Sequence, residues 1–147
     1  LDLEGKDKQD RGFKTFKLTP SNFKIWDGTK IEKDPKKISD TIEMFVDHID
    51  PKAKPDDIFY ELLLKSGFPL TSQVKVLKLA GKKIHSVDDN ALLICLDKDL
   101  TKDVIKEMAE FQPGRVVCLD AGFHGNDQLK TNAVQIMKAK NIEFRTV

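Results

Sequence analysis

The stretch RVVCLDAGFHGNDQLKTNAVQIMKAK, from Arg115 to Lys140, decides the fold class of this chain. Its apolar run Val116 to Leu119 is short and continuous, which is typical of a strand buried on both faces of a sheet. A loop with two glycines follows Asp120, and apolar residues at helical spacing then predict a helix from Asp127 to Lys140. A buried strand, a polar loop and an amphipathic helix in this order indicate an α/β fold.

The elements before this stretch predict a mixed sheet. Three strand patterns, at 74–79, 83–87 and 91–96, are separated by short turn signals and predict an antiparallel meander. The third of these strands begins a β-α-β-α-β order, which continues through a helix capped by Thr101 and ends in an extended run from Ile142 to Val147. Because such crossovers join parallel neighbours, one side of the sheet is expected to be antiparallel and the other parallel.

Two helices are predicted before the meander. The first begins near Asp34 and carries an apolar stripe to Ile49, and the second runs from about Pro55 to Ser66. Asp56 and Asp57 favour the start of the second helix, and Gly67 suits the left-handed position after its end. In the second helix, Glu61 is either a site carboxylate with a shifted pKa or the i+4 partner of Lys65. Residues 34–147 are therefore expected to form one α/β domain, preceded by a leading segment of residues 1–33.

The leading segment contains apolar residues that alternate with lysines between Phe13 and Trp26. We expect its apolar side to pack on the rest of the chain and its lysines to face solvent. The alternative is an aromatic and lysine platform for single-stranded nucleic acid.

Composition excludes several classes of protein. With 147 residues, 39% hydrophobic and 33% charged, the chain is long enough for one domain with a core. Its 25 basic and 24 acidic residues leave a net charge of +1, without the basic excess expected of a module that binds nucleic acid alone. Cys95 and Cys118 lie in apolar runs without a CxxC motif, so we expect buried free thiols and no zinc site.

The apolar runs and the cysteines also bear on where the protein is located. No apolar run has a length that suggests a membrane span, so no membrane partner is predicted. Free thiols fit a reducing compartment, and the expected location is cytoplasmic. The chain begins at Leu1 without a signal-peptide pattern, which suggests a fragment of a longer protein.

Six polar residues after the buried strand form the candidate site. In open α/β sheets, the carboxyl end of a strand and the loop that follows it usually carry the polar chemistry. The residues are Asp120, His124, Asn126, Asp127, Lys130 and Asn132. They either converge on a polar site in which His124 carries a proton, or serve the local fold, with Asn126 or Asp127 capping the helix. Without a nucleophile or a metal cluster, we expect a polar contact to a neighbouring domain or subunit, and we assign no catalytic, cofactor-binding or metal-binding residue.

Sequence motifs for common chemistries are absent. No phosphate-binding glycine loop, GxSxG elbow or HExxH pair occurs. The order helix, three strands, helix, strand is also that of a nuclease core, which requires a D/E-x-K tripeptide on a central strand. The range 77–96 contains no such tripeptide, and Asp97-Lys98-Asp99 has the wrong spacing, so a degenerate nuclease-like domain is the least expected function.

Three stretches carry a family resemblance. RGFKTFKLTPSNFKIWD (11–27), DIFYELLLKSGFPLT (57–71) and VVCLDAGFHGNDQLKTNAVQIMKAKNIEFRTV (116–147) resemble the C-terminal region of one family of methyltransferases. This family is the DNA (adenine-N6) methyltransferase, or modification subunit, of type III restriction–modification systems. The resemblance spans roughly residues 11–147.

The resemblance implies a function for the parent protein more than for this chain. Members of the family transfer a methyl group from S-adenosylmethionine to the N6 of adenine and give DNA specificity to a complex with a helicase-nuclease restriction subunit. The family's DPPY and FxGxG motifs are not found here, so S-adenosylmethionine is expected only in the full-length parent.

The resemblance therefore implies a C-terminal, non-catalytic assembly and support domain, with residues 1–33 as the exit segment from the upstream methyltransferase domain. Its implied partners are the restriction subunit and a second modification subunit, with DNA contacted through the full-length protein. The alternative is a DNA-contacting module that uses the lysines of the first thirty residues, and enzymatic activity of the chain itself stays open.

Overall fold

This chain has an α/β fold built on one five-stranded mixed sheet, as the sequence predicts. The computed structural model describes residues 12–24 and 49–147. Within these ranges the helices are α1 (Pro55–Lys65), α2 (Lys102–Glu110) and α3 (Asp127–Ala139). The strands are β1 (Val74–Leu79), β2 (Lys82–Val87), β3 (Leu92–Cys95), β4 (Arg115–Cys118) and β5 (Glu143–Thr146).

The strands lie side by side in chain order, from β1 to β5. β1, β2 and β3 pair antiparallel, whereas β3, β4 and β5 pair parallel. The turn between β1 and β2 places Ala80 and Gly81 at φ +43° and +82°, the positive values that a tight two-residue hairpin requires. A parallel pair needs a longer connection, and α2 and α3 provide it.

The centre of the sheet is β3, whose four residues are all fully buried. Leu93 and Cys95 face a core that includes apolar residues of α2 and α3. Leu92 and Ile94 face the opposite side, where they pack with residues of α1. Both faces of β3 are therefore covered, which explains its uninterrupted apolar sequence.

Helix α1 covers the second face of the sheet. Pro55 occupies its first turn together with two aspartates, and Gly67 follows its end at φ +85°, as the sequence predicts. Leu63 is fully buried in the core of this face, whereas its neighbour Leu64 is 54% exposed. Only part of the helix circumference is covered by the sheet.

The segment of residues 12–24 lies beside α1, and here one expectation is met only in part. Phe16 meets the ring of Tyr60 edge-on, at 5.0 Å between centroids. However, Leu18, which shares this side of the alternating pattern with Phe16, is 98% exposed and does not pack on the rest of the chain as expected. Phe23, at its end, is half-buried and bridges to Ile49.

Two predictions lie outside the described residues. These are the helix from Asp34 towards Ile49 and the boundary between residues 1–33 and 34–147. In the two described ranges, no helix has the length and apolarity needed to cross a membrane.

The two adjacent leucines of α1 provide a test of the packing. Leu63→Ala should lower the free energy of unfolding by about 2–5 kcal/mol, because it leaves a cavity in a buried core. Leu64→Ala should cost less than about 1 kcal/mol, because its side chain is exposed. Urea unfolding of both variants measures this difference, and equal losses would contradict the placement of α1 against the sheet.

Candidate functional site

The candidate site lies where β3 and β4 end side by side. Cys95 and Cys118 are register partners at these ends, so the loops that follow them leave the sheet together. The loops are joined where the Leu100 N–H donates to the Gly122 carbonyl at 2.8 Å. Gly122 also packs closely against the loop that follows β3. A Cβ added to Gly122 would lie 2.7 Å from the Asp97 carbonyl oxygen. Gly122 is therefore required by a close backbone approach.

Two of the six predicted residues, Asp120 and Lys130, pair with each other. Asp120 opens a short 3-10 helix, Asp120–Phe123, directly after β4, and Lys130 lies in the first half of α3. The Lys130 ammonium donates a hydrogen bond to the Asp120 carboxylate. The ion pair ties the start of the 3-10 helix to α3, and both side chains remain partly exposed.

His124 points towards a different cluster. It follows the 3-10 helix in the left-handed conformation, at φ +49°, and its Nε2 lies 3.9 Å from an Asp99 oxygen. Lys82 joins this cluster, because its Nζ donates to Asp97 at 3.0 Å and to Asp99 at 3.2 Å. The hydrogen bond to Asp97 is the largest cause that raises the pKa of Lys82. Lys82 is thus a fixed cation between two carboxylates.

The remaining residues of the candidate site serve helix α3. The Asn126 side chain caps the helix by accepting from the Leu129 N–H at 2.9 Å, one of the two capping alternatives that the sequence leaves open. Asp127 is the first helical residue and is exposed, which suits the positive end of the helix dipole. Asn132 lies further along the helix and is half-buried.

The six residues therefore do not converge on one point. The structure brings Asp120 and Lys130 together, places His124 near Asp99, and assigns Asn126 and Asp127 to the helix start. Among residues 12–24 and 49–147, no group of three His, Cys, Asp or Glu side chains could hold a metal ion. The arrangement provides fixed ion pairs next to the carboxyl-terminal ends of β3 and β4.

The cysteines below this edge form a buried pair of free thiols, as the sequence predicts. Both side chains are fully buried and face the core formed with α2 and α3. The hydrogen bond with Cys95, together with burial, raises the pKa of the Cys118 thiol well above its usual value. Cys118 is therefore a neutral core residue at physiological pH.

Glu61 is the charged side chain that the sequence explained only in part. Its pairing with Lys65 is confirmed at 2.8 Å. It also accepts from the backbone and side-chain amides of Asn22, at 2.7 and 2.9 Å, and from the Ser21 hydroxyl. The Lys65 ammonium in turn lies 4.3 Å from the centroid of the Phe23 ring. These contacts hold the end of segment 12–24 against α1.

The pKa of Glu61 reflects this setting. Burial raises the pKa, but the hydrogen bonds from Lys65, Ser21 and Asn22 outweigh it and lower the value to about 2. The carboxylate is ionised at neutral pH and fully engaged. It therefore acts as a structural anchor and not as a proton carrier.

Some of these contacts had a signal in the sequence and others had none. In the antiparallel hairpin of β2 and β3, Ile84 pairs with Cys95. The same register, continued by two residues, places Lys82 opposite Asp97. The contact from Glu61 to Asn22 spans 39 residues and has no local pattern that predicts it.

Comparisons with protein families and with curated proteins identify no relative. No protein-family model matches the sequence. A search of curated proteins finds no match either.

The Glu61 anchor predicts a local effect of mutation. Glu61→Gln should speed amide exchange at Asn22 about tenfold at neutral pH, because hydrogen bonds to a charged acceptor contribute roughly 1.5–3 kcal/mol. Glu107→Gln is the matched control: Glu107 accepts from the Ala80 N–H at 2.7 Å, so this change should leave Asn22 unaffected. Exchange measured by NMR would contradict the anchor if Asn22 keeps its wild-type protection in the Glu61 variant.

The same anchor predicts a dependence on pH. Because the pKa of Glu61 is lowered from 4.5 to about 2, its stabilisation of the folded chain is complete above pH 4.5 and is lost as the pH falls towards 2. The protection factor of Asn22 in the wild type should therefore decrease over this range. The Glu61→Gln variant should lack this decrease, and an equal decrease in both proteins would assign it to other groups.

The close approach at Gly122 predicts a cost that differs between two glycines. Gly122→Ala should destabilise the chain by about 2 kcal/mol or more, because its Cβ would clash with backbone. Gly125→Ala has free space around it and only the strain of φ +69°, about 1 kcal/mol. Thermal or urea unfolding compares them, and a smaller loss for Gly122→Ala would refute the tight joint between the loops.

Proposed function

We propose that this chain is the C-terminal, non-catalytic assembly and support domain of a site-specific DNA adenine-N6 methyltransferase, the modification subunit of a type III restriction–modification system. The observation that carries the proposal is the resemblance of three long stretches, 11–27, 57–71 and 116–147, in the order of that family. Together these stretches include the whole of the described segment 12–24, most of α1, and the path from β4 to β5.

Contacts between these stretches support the proposal. Ser21 and Asn22 of the first stretch bind Glu61 of the second. Val117 of the third stretch packs in the same buried cluster as Leu62 and Leu63 of the second. Stretches that resemble one family along the sequence are thus also neighbours in space, which is expected if they form the framework of one domain.

The proposed domain is larger than its described part. It includes the helix predicted from Asp34 towards Ile49, so that two helices precede an antiparallel meander and a β-α-β-α-β unit. Residues 1–33 are the proposed exit segment from the upstream methyltransferase domain. S-adenosylmethionine binding and base recognition belong to that upstream part of the parent protein.

The proposed partners follow from the same assignment. The domain contacts the restriction subunit and a second modification subunit, and DNA is held by the full-length protein.

Two measurements on the 147-residue chain test the proposal. Solution mass, with the restriction subunit of the same system added, should show a complex of the two chains. Calorimetric titration with S-adenosylmethionine should give no binding isotherm. Separate migration of the two chains would contradict the assembly role, and micromolar binding of S-adenosylmethionine would contradict the non-catalytic assignment.

A further inference from the structure

Strand β1 forms one edge of the sheet, and no strand lies beyond it in the described part of the chain. Its two-residue turn with β2 closes on a hydrogen-bonded pair, which is Leu79 and Lys82. In an antiparallel pair, the backbone groups of every second residue point towards the neighbouring strand. Leu79 and the residues two and four positions before it therefore face β2. The N–H and C=O groups that face outward are those of Val74, Val76 and Lys78.

Within residues 12–24 and 49–147, nothing else pairs with these outward groups. No backbone hydrogen bond outside the ladder of β1 and β2 reaches Val74–Leu79. The side-chain hydrogen bonds at the two ends of the strand go to the N–H groups of its flanking residues, Gln73 and Ala80. A row of unpaired backbone groups on an edge strand is a template for the addition of a further strand.

The side chains of Val74, Val76 and Lys78 share the face of the sheet that carries α1, because alternate residues of a strand point the same way. Val74 is half-buried in the core of this face. The Phe59 ring of α1 stacks on His85 of β2, at 4.5 Å between centroids. The cover ends there, because Val76, the register partner of His85, is 57% exposed. The edge therefore has a largely uncovered apolar side chain at its middle.

Two lysines lie directly opposite each other on the same open face. Lys78 and Lys83 are register partners, and both side chains are exposed. Neither forms a salt bridge in the part of the chain that the structure describes. The charge of Asp56 acts on His85 and does not pair with either lysine. Like charges on directly opposed residues destabilise a strand pair, so a carboxylate beside Lys78 would relieve this repulsion.

These features fit an extended acidic peptide better than two other partners. A second copy of β1 would bring further lysines to this edge, which is how natural edge strands avoid pairing with themselves. The phosphates of a nucleic acid only accept hydrogen bonds, whereas the outward C=O groups of the edge require donors. A peptide backbone supplies both donors and acceptors, and its carboxylates complement the two lysines.

We propose that β1 is a docking edge for an extended acidic peptide, which adds to the sheet as a sixth strand. The peptide backbone pairs with Val74, Val76 and Lys78. A carboxylate opposite Lys78 forms an ion pair with it, and the next side chain on the same face packs over Val76. This inference goes beyond the assembly role proposed above and does not rest on it, because β1 lies outside the three stretches that resemble the methyltransferase family.

An NMR titration of the isotope-labelled 147-residue chain tests the proposal. The probe is a seven-residue peptide with blocked ends in which glutamate alternates with valine, at neutral pH and low salt. We expect saturable shifts, largest at the amides of Val74, Val76 and Lys78, with a dissociation constant of roughly 10–100 μM. A peptide of the same charge with proline in place of valine should not bind, because proline cannot donate to a strand ladder.

A charge reversal separates binding from folding. Lys78→Glu should weaken binding of the glutamate peptide at least about tenfold, because carboxylates then face each other. Its midpoint of thermal unfolding should equal or exceed that of the wild type, since the new carboxylate faces Lys83 across the strand pair. Lys138→Glu makes the same change of charge at an exposed position in the last turn of α3, on the opposite face of the sheet, and should leave binding unchanged.

Three results would overturn the docking edge. They are the absence of saturable shifts at roughly 1 mM peptide, equal binding of the proline peptide, and equal binding by the Lys78→Glu variant. Two further results would overturn the choice of partner. Shifts of the same amides that grow with protein concentration alone would assign the edge to a second copy. Displacement of the peptide by a single-stranded oligonucleotide would assign it to nucleic acid.

Discussion

The parallel pairing of β3 with β4 is the interaction on which the rest of the structure depends. It joins the antiparallel half of the sheet to the parallel half and places Cys95 beside Cys118. Because β3 is buried on both faces, α1 on one side and α2 with α3 on the other are attached through it. The layers therefore stay in register only while these two strands remain paired, which makes the sheet a single cooperative unit.

The same pairing determines where the loops that follow the two strands leave the sheet. The loops after β3 and β4 emerge side by side, and the Leu100–Gly122 hydrogen bond closes them together. In many α/β proteins this edge carries the chemistry. Here its charges are paired within the chain: Lys82 forms ion pairs with Asp97 and Asp99, and the Asp120 carboxylate pairs with Lys130 of α3. The sequence therefore located a cluster of polar residues at these strand ends correctly, and the ion pairs of this cluster stabilise the fold.

Sequence reasoning succeeded where a signal is local. Thr101 and Asn126 cap the helices that they precede, Gly67 adopts the positive φ that follows a helix, and both cysteines are buried. Periodicity within a dozen residues determines such features. It does not report which distant segments meet, so the contact from Asn22 to Glu61 was beyond its reach.

The local sequence pattern also could not predict which side chains of segment 12–24 are exposed. Alternation of apolar residues with lysines predicts a strand with one covered face, whether the cover belongs to the same chain or to another. Leu18 follows the alternation and yet is exposed, whereas Phe16 on the same side meets the ring of Tyr60. The sequence thus identified an apolar side of the segment, and the structure was needed to find which of its residues are covered.

The central claim, that one strand pair holds both layers together, is tested most directly by native-state amide hydrogen exchange followed by NMR under mild denaturant. We predict that Leu93 to Cys95 and Val116 to Cys118 exchange only through global unfolding, with the same free energy of opening. Exchange in β4 at a distinctly lower free energy than in β3 would show that the antiparallel and parallel halves open independently, and would contradict the claim.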